Sequence, residues 1–202
     1  GASWVDSPKQ AVQGNEAVFT SLPVPRDVEA VVLGENGILE GASSGQVFFD
    51  LSTNSPTMIR RLHEECAARG VTLLDSPVSG GVYGAAAGTL AVMVGGDREV
   101  FERVKPLLDA FGDKVFYAGE IGAGSVAKLV HNMIGHGVRQ AIAEGMTLGV
   151  KAGVDTEALW QCIRRGSLGR MNGLHEGFVR TEVKGEDERA GFVLRLDRKA
   201  GL

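Results

Sequence analysis

Lys128 and Asn132 stand four residues apart in the run Gly122-Ala-Gly-Ser-Val-Ala-Lys-Leu-Val-His-Asn132, a spacing that puts both on one face of a helix. A lysine among apolar neighbours at a helix start can give up its proton readily, because burial and the helix dipole both disfavour the charge. Moving it from about 10.4 to near 7 takes about 4–5 kcal/mol of differential interaction, so such a site has to be built. The same spacing also suits a surface lysine whose aliphatic stem lies along apolar neighbours. A second segment, Asp75-Ser-Pro-Val-Ser-Gly-Gly81, places Ser79, Gly80 and Gly81 directly after an apolar strand. A hydroxyl beside unhindered backbone N–H groups can bind a carboxylate without a basic side chain. A flexible Gly/Ala loop would read the same way. Gly122-Ala-Gly124-Ser-Val-Ala127 matches G-x-G-x-x-A, yet the residues after it stay helical and Glu144 lies within that helix. We read it as a tight turn that lets a long helix start close to the preceding strand. His131 and His136 are five apart and lack H-E-x-x-H spacing, so no metal site is expected.

The elements that would position these groups follow from the apolar pattern. Buried strands are expected at Ala17–Leu22, Gln46–Leu51, Val71–Leu74, Leu90–Val94 and Lys114–Tyr117. Helices are expected at Arg26–Leu33, from Pro56 to about Arg69, and from Asp97 as cap through Phe111. Ser55 reads as the N-cap and Gly70 as the C-cap of the second of these. The alternation argues for parallel βαβ units in a doubly wound α/β sheet. The pattern changes at Gly119. From about Ser125 to Lys151 apolar residues recur at helical steps, predicting a rod of roughly 40 Å. Gly135, Gly137, Gly145 and Gly149 should each weaken it by up to ~1 kcal/mol, and close helix packing is the reading we prefer for them. Thr156–Ile163 reads as a further helix, and Thr181–Ala190 as a solvated loop.

Composition narrows the class. Of 202 residues, 44% are hydrophobic and 23% charged, enough for a real core. The 29 glycines have no period, which excludes collagen. A formal charge of −4 without a basic run argues against nucleic acid as a partner, and no apolar stretch approaches the ~18 residues of a membrane span. Cys66 and Cys162 form no disulfide framework and suit a reducing, cytoplasmic setting. The chain opens without Met and stops inside an apolar-patterned segment, so we read it as a fragment.

Together these motifs resemble the β-hydroxyacid dehydrogenase family, and the resemblance covers nearly the whole chain. Leu22-Pro23, Gly34-Glu-Asn-Gly37 with Gly41, and Asp50-Leu-Ser-Thr53 with Pro56 match its early motifs. Asp75-x-Pro-Val-Ser-Gly-Gly81 with Gly84, Gly88-Thr-Leu90 and Val94-Gly-Gly-Asp97 matches its substrate signature. Gly122-x-Gly124-x-x-x-Lys128-x-x-x-Asn132 matches its catalytic signature, and Phe192-x-Leu194-x-Leu196-x-x-Lys199 resembles its final motif.

The resemblance implies a partial Rossmann domain over 1–119, its first βαβ unit missing, and part of an all-helical domain over 120–202, entered by the long helix. The implied reaction is NAD- or NADP-dependent hydride transfer at the carbinol of a small 3-hydroxy acid, of the 3-hydroxyisobutyrate or tartronate semialdehyde type. Lys128 would be the general acid/base and Asn132 would orient it. Ser79, Gly80 and Gly81 would hold the substrate carboxylate, and Leu22, Pro23, Thr53 and Lys199 would line the cofactor. A homo-oligomer, dimer or tetramer, is expected of the full-length protein. Three features depart from the family: its G-x-G-x-x-G loop would precede Gly1, a large part of its helical domain would follow Leu202, and Ala200 stands where Asp usually follows the lysine. Lys128-Leu-Val-His-Asn132 also resembles 6-phosphogluconate dehydrogenase, but Gly135 stands where that enzyme has Glu. The remaining alternative is a non-catalytic dehydrogenase-like fragment.

Overall fold

The computed structural model describes residues 3–166. Its contacts divide the chain into two units between Gly135 and His136. The first contains α1 (Pro8–Val12), β1 (Ala17–Thr20), α2 (Pro25–Leu33), α3 (Ile38–Gly41), β2 (Val47–Asp50) and α4 (Pro56–Ala67). It continues with β3 (Thr72–Asp75), β4 (Val78–Ser79), α5 (Gly81–Ala87), β5 (Leu90–Gly95), α6 (Arg98–Asp109) and β6 (Gly112–Gly119). The long helix α7 (Ala123–Lys151) starts in this unit, and α8 (Thr156–Arg165) belongs to the second.

Strand β2 explains the layering. All four of its residues are buried, as expected of a strand covered on both faces. Phe48 and Leu73 point into a core closed by Val28, Val32, Ile59, Leu62 and Cys66 of α2 and α4. Phe49 and Leu74 point the other way, toward Phe101, Val104 and Leu108 of α6. Helices therefore cover both sides of the sheet, as the sequence pattern predicts.

The sheet is not wholly parallel. β1, β2 and β3 pair in parallel, with Thr20, Asp50 and Asp75 aligned on their last rung. Beyond Asp75 the chain stays extended and runs antiparallel to β5, pairing Asp75 with Gly95, Val78 with Val92 and Ser79 with Ala91. β3 and β4 are thus two parts of one bent strand, and β5 with its parallel neighbour β6 runs against the first three. Connection length is the cause. Only α5 and its flanks join Ser79 to Leu90, and a parallel crossover needs about a dozen residues or more.

Local signals hold with small shifts. Asp97 caps α6 by accepting from Val100 N–H at 2.9 Å. Ser55 occupies the N-cap position of α4, but its side chain makes no capping bond, and Pro56 opens the helix. The α4 C-cap is Ala68, with Gly70 two residues beyond it in the left-handed region at φ 72°. In the second unit Asp155 caps α8 through Ala158 N–H. Gly149 admits the Leu159 side chain, in keeping with close helix packing. Gly137 and Gly145 have nothing within 4 Å among the described residues, so packing does not account for them there. Thr181–Ala190, Lys199 and the final motif lie outside the described residues.

Candidate active site

The carboxyl ends of β1, β2 and β3 form one rim, the side of an α/β sheet where ligands bind. Two buried aspartates organise it. Asp50 Oδ1 accepts from Thr20 Oγ1 at 2.9 Å and from Ser52 N–H at 3.1 Å, while Oδ2 accepts from Asn54 Nδ2 at 2.9 Å. Ser52 Oγ in turn accepts from Leu22 N–H at 2.9 Å. The loops after β1 and β2 are thereby tied to one carboxylate. They carry half-buried Leu22 with exposed Pro23 and Thr53.

Asp75 does the same for α7. Its Oδ1 accepts from Gly122 N–H at 2.8 Å and its Oδ2 from Ser125 N–H at 2.6 Å. These are free donors at a helix N-terminus, where a carboxylate is favoured by the dipole as well. A Cβ on Gly124 would overlap the Met93 carbonyl oxygen and come within 2.7 Å of the Asp75 carbonyl oxygen. The G-x-G-x-x-A turn is therefore what the sequence reading made of it, a close approach of helix to strand. The protein's own carboxylate occupies its N-terminus. Burial pushes the Asp75 carboxyl above its ordinary range, against the lowering effect of the two N–H donors.

A second tie lies two turns along α7. Ser79 Oγ and His131 Nε2 are 3.1 Å apart. Ser125, Lys128 and His131 follow at three-residue steps, so the face of α7 that meets Asp75 and Ser79 also carries Lys128. Lys128 is only 9% exposed, and burial lowers its pKa from the ordinary 10.5. Among the described residues its ammonium has no carboxylate partner within ion-pair distance. Asn132, one turn on, is half-buried.

Gly80 and Gly81 sit beside these groups with φ of +140° and +60°. A Cβ on Gly81 would meet nothing within 4 Å, so its glycine answers to backbone conformation and not to crowding. Both glycines are exposed, at the start of α5. The structure thus sets Ser79, just before Gly80 and Gly81, against the helix face on which Ser125, Lys128 and His131 recur, with Asn132 one turn beyond Lys128 on the same helix. Leu22, Pro23 and Thr53 lie on the rim formed by the ends of β1 and β2, and Lys199 lies outside the described residues. No group of three or more potential metal ligands occurs among the described residues, nor any helix long and apolar enough to cross a membrane.

Sequence reasoning gave no role to Asp50, Asp75 or His131. The aspartates had one signal, an acid closing an otherwise apolar strand. His131 had none, because its partner is 52 residues away.

Residues 1–119 match the family described as the NAD binding domain of 6-phosphogluconate dehydrogenase. Residues 122–199 match the NAD-binding family of NADP-dependent 3-hydroxyisobutyrate dehydrogenase. The chain belongs to the β-hydroxyacid dehydrogenase family. It is 38% identical to an NAD-dependent L-serine dehydrogenase of Pseudomonas aeruginosa, over 98% of this chain and 68% of that protein. Identity to a 3-hydroxyisobutyrate dehydrogenase of the same organism is 43%, over 84% of this chain and 57% of the relative. A solved structure of Mycobacterium tuberculosis 3-hydroxyisobutyrate dehydrogenase with L-serine matches with a TM-score of 0.73 and 37% identity, covering 79% of this chain and 54% of that one. The chain thus spans 68% and 57% of the length of these two curated relatives.

Proposed function

We propose that the full-length protein is an NAD- or NADP-dependent dehydrogenase that moves a hydride between nicotinamide and C3 of a small 3-hydroxy acid. The observation that supports this reading is Lys128, buried and without a carboxylate partner among the described residues, on the helix face tied to Asp75 and to Ser79 of the serine–glycine–glycine turn. L-Serine and 3-hydroxyisobutyrate, named for the relatives, share the frame HOCH2–CH(X)–COO−, where X is ammonium or methyl. A site for that frame needs a carboxylate holder and, about two carbons away, a proton acceptor for the hydroxyl.

Ser79 with the backbone of Gly80 and Gly81 holds the carboxylate. Lys128 in its neutral form takes the hydroxyl proton as the carbinol becomes an aldehyde, and returns it in the reverse direction. Its lowered pKa serves this role, since an ammonium accepts no proton. Asn132, on the same helix face, orients the lysine and the substrate hydroxyl. Leu22 and Pro23 present apolar surface and Thr53 a hydroxyl, a combination that fits a flat ring with an amide edge, and Lys199 would join them. When bound, NAD(P) accepts the hydride and its electron pair. The same proposal takes 1–119 as part of the cofactor domain and 120–202 as part of the helical domain, in a cytoplasmic homo-oligomer.

The test is steady-state kinetics of the full-length protein with L-serine, 3-hydroxyisobutyrate, tartronate semialdehyde and 6-phosphogluconate. Lys128→Met is expected to lower kcat roughly 10²–10⁴-fold with cofactor affinity nearly unchanged. Faster turnover of 6-phosphogluconate than of any 3-hydroxy acid would replace the substrate assignment, and no turnover of either would overturn the enzyme reading.

A further inference from the structure

We propose that a hollow at the amino ends of β1 and β2 binds a small zwitterion, an α-amino acid with an apolar side chain. The hollow measures about 690 Å³, within the range of small-molecule sites. It lies where β1 and β2 first pair, at Ala17 and Val47, whereas the rim of the candidate active site lies at their last pair, Thr20 and Asp50. The two ends are about 10 Å apart along the strands, and the two sites share no residue.

Its walls are held in place before any ligand arrives, which lowers the cost of binding. Gln46 is buried at the floor, and its Nε2 donates to the Val12 and Asn15 carbonyls at 2.8 and 2.5 Å. Its Oε1 accepts from Ser43 N–H at 2.7 Å. One amide thereby ties the loop after α1 to the loop after α3. Gly14 and Gly45, one in each loop, have φ of +73° and +91°, and a Cβ on either would meet nothing within 4 Å. The turns are made by glycines that leave the space beside them open.

Charge then points to the ligand. Arg103 of α6 and Glu16 of the first loop both line the hollow. Among the described residues neither side chain has an ion pair or a hydrogen bond, so the two stand too far apart to pair with each other. An anion would be drawn to Arg103 and repelled by Glu16, and a cation the reverse. A molecule with one carboxylate and one ammonium satisfies both, its carboxylate on the guanidinium fork. The wall also includes Ala17, Val104 and Leu107, and Leu107 is 45% exposed. An apolar side chain would cover that surface.

The experiment is isothermal titration calorimetry of the full-length protein, unmodified and as Ser79→Ala, with L-leucine as the probe. L-Leucine is expected to bind with a Kd of about 1 mM or tighter, and to bind Ser79→Ala as well. Glycine, which has both charges but no apolar body, should bind at least roughly tenfold more weakly. 4-Methylpentanoate lacks the ammonium and 3-methylbutylamine the carboxylate, and each should lose a similar factor. Arg103→Gln should weaken L-leucine by about tenfold and leave 3-methylbutylamine unchanged, since the amine has no carboxylate to lose. Glu16→Gln should weaken L-leucine and leave 4-methylpentanoate unchanged. Both residues are exposed, so the Tm should hold, and the analogue series tests the two charges on the unmodified protein if a variant fails to fold. No saturable binding of L-leucine, binding that vanishes with Ser79→Ala, indifference to both charge variants, or equal weakening of every probe overturns the proposal. These outcomes do not involve turnover of a hydroxy acid, so the functional reading of Lys128 stands or falls separately.

Discussion

Asp50 and Asp75 are register partners at the carboxyl ends of neighbouring parallel strands, and neither is accessible to solvent. Each carboxylate is used up on the protein's own donors. Asp50 gathers the loops that carry Leu22 and Thr53, while Asp75 seats the helix that carries Lys128. The rim that carries the residues proposed to face cofactor and substrate is therefore fixed by two adjacent side chains of one sheet. A disturbance at either one should reach function through a different element, and the two can be told apart.

Asp50→Asn keeps the volume but replaces one acceptor with a donor. Either its amide NH2 faces Asn54 Nδ2, or it faces Thr20 Oγ1 and the Ser52 N–H. A donor–donor conflict remains in both orientations, so a loss of about 1–3 kcal/mol is expected. Urea unfolding measures it. The loop with Leu22 should loosen, raising KM for NAD(P) more than KM for the hydroxy acid.

Asp75→Asn acts on the other side of the site. One of Gly122 N–H and Ser125 N–H loses its acceptor, and the charge that faced the α7 dipole is gone. The expected cost is again about 1–3 kcal/mol. Here kcat should fall, since Lys128 sits one turn beyond Ser125, and KM for NAD(P) should hold. If both variants shift the same kinetic constant, the division of labour between the two aspartates is wrong.

How much of this was legible depends on the range over which each signal acts. The alternating strands, the cap at Asp97 and the long helix from near Ser125 are local, and apolar spacing reports them. The direction of β5 is not local. Its apolar run reads the same whichever way it pairs, and only the short connection through α5 excludes a parallel crossover. The short helices α1 and α3 escaped notice because they hold through tertiary contact, with Ile38 and Leu39 buried and Lys9 N–H bonded to the Asn36 carbonyl. Lys128 was legible as a candidate, but its burial is a property of the ties at Asp75 and Ser79. Those ties join residues about 50 positions apart, where no periodic pattern reaches.

Gly124→Ala tests the close approach of α7 to the sheet. The added methyl would overlap the Met93 carbonyl and lie 2.7 Å from the Asp75 carbonyl oxygen and 3.0 Å from Gly95 N, all backbone atoms that cannot rotate away. Helix propensity alone would favour alanine by about 1 kcal/mol. Overpacking of this kind typically costs about 1–3 kcal/mol and here should win, so the variant is expected to melt earlier. A Tm equal to or above that of the unmodified protein would mean the contact is looser than described.

Lys128 links stability, pH and rate with one sign. Its pKa is lowered by burial, so the folded protein releases this proton at a lower pH than the unfolded chain does. Below the folded value the lysine is charged in both states, and its desolvation counts fully against folding. Between the folded value and the ordinary 10.5 the unfolded chain holds more protons, so the stability contribution rises with pH. Lys128→Met removes the buried charge and should raise the Tm, by an increment greatest below the lowered folded pKa that shrinks as pH climbs from there toward 10.5. Rate follows the same proton. Alcohol oxidation needs the neutral amine, so kcat for oxidation should climb through the lowered pKa while aldehyde reduction declines over the same interval. A Tm increment independent of pH, or an oxidation profile flat until the ordinary lysine range, would show that Lys128 is neither desolvated nor the base.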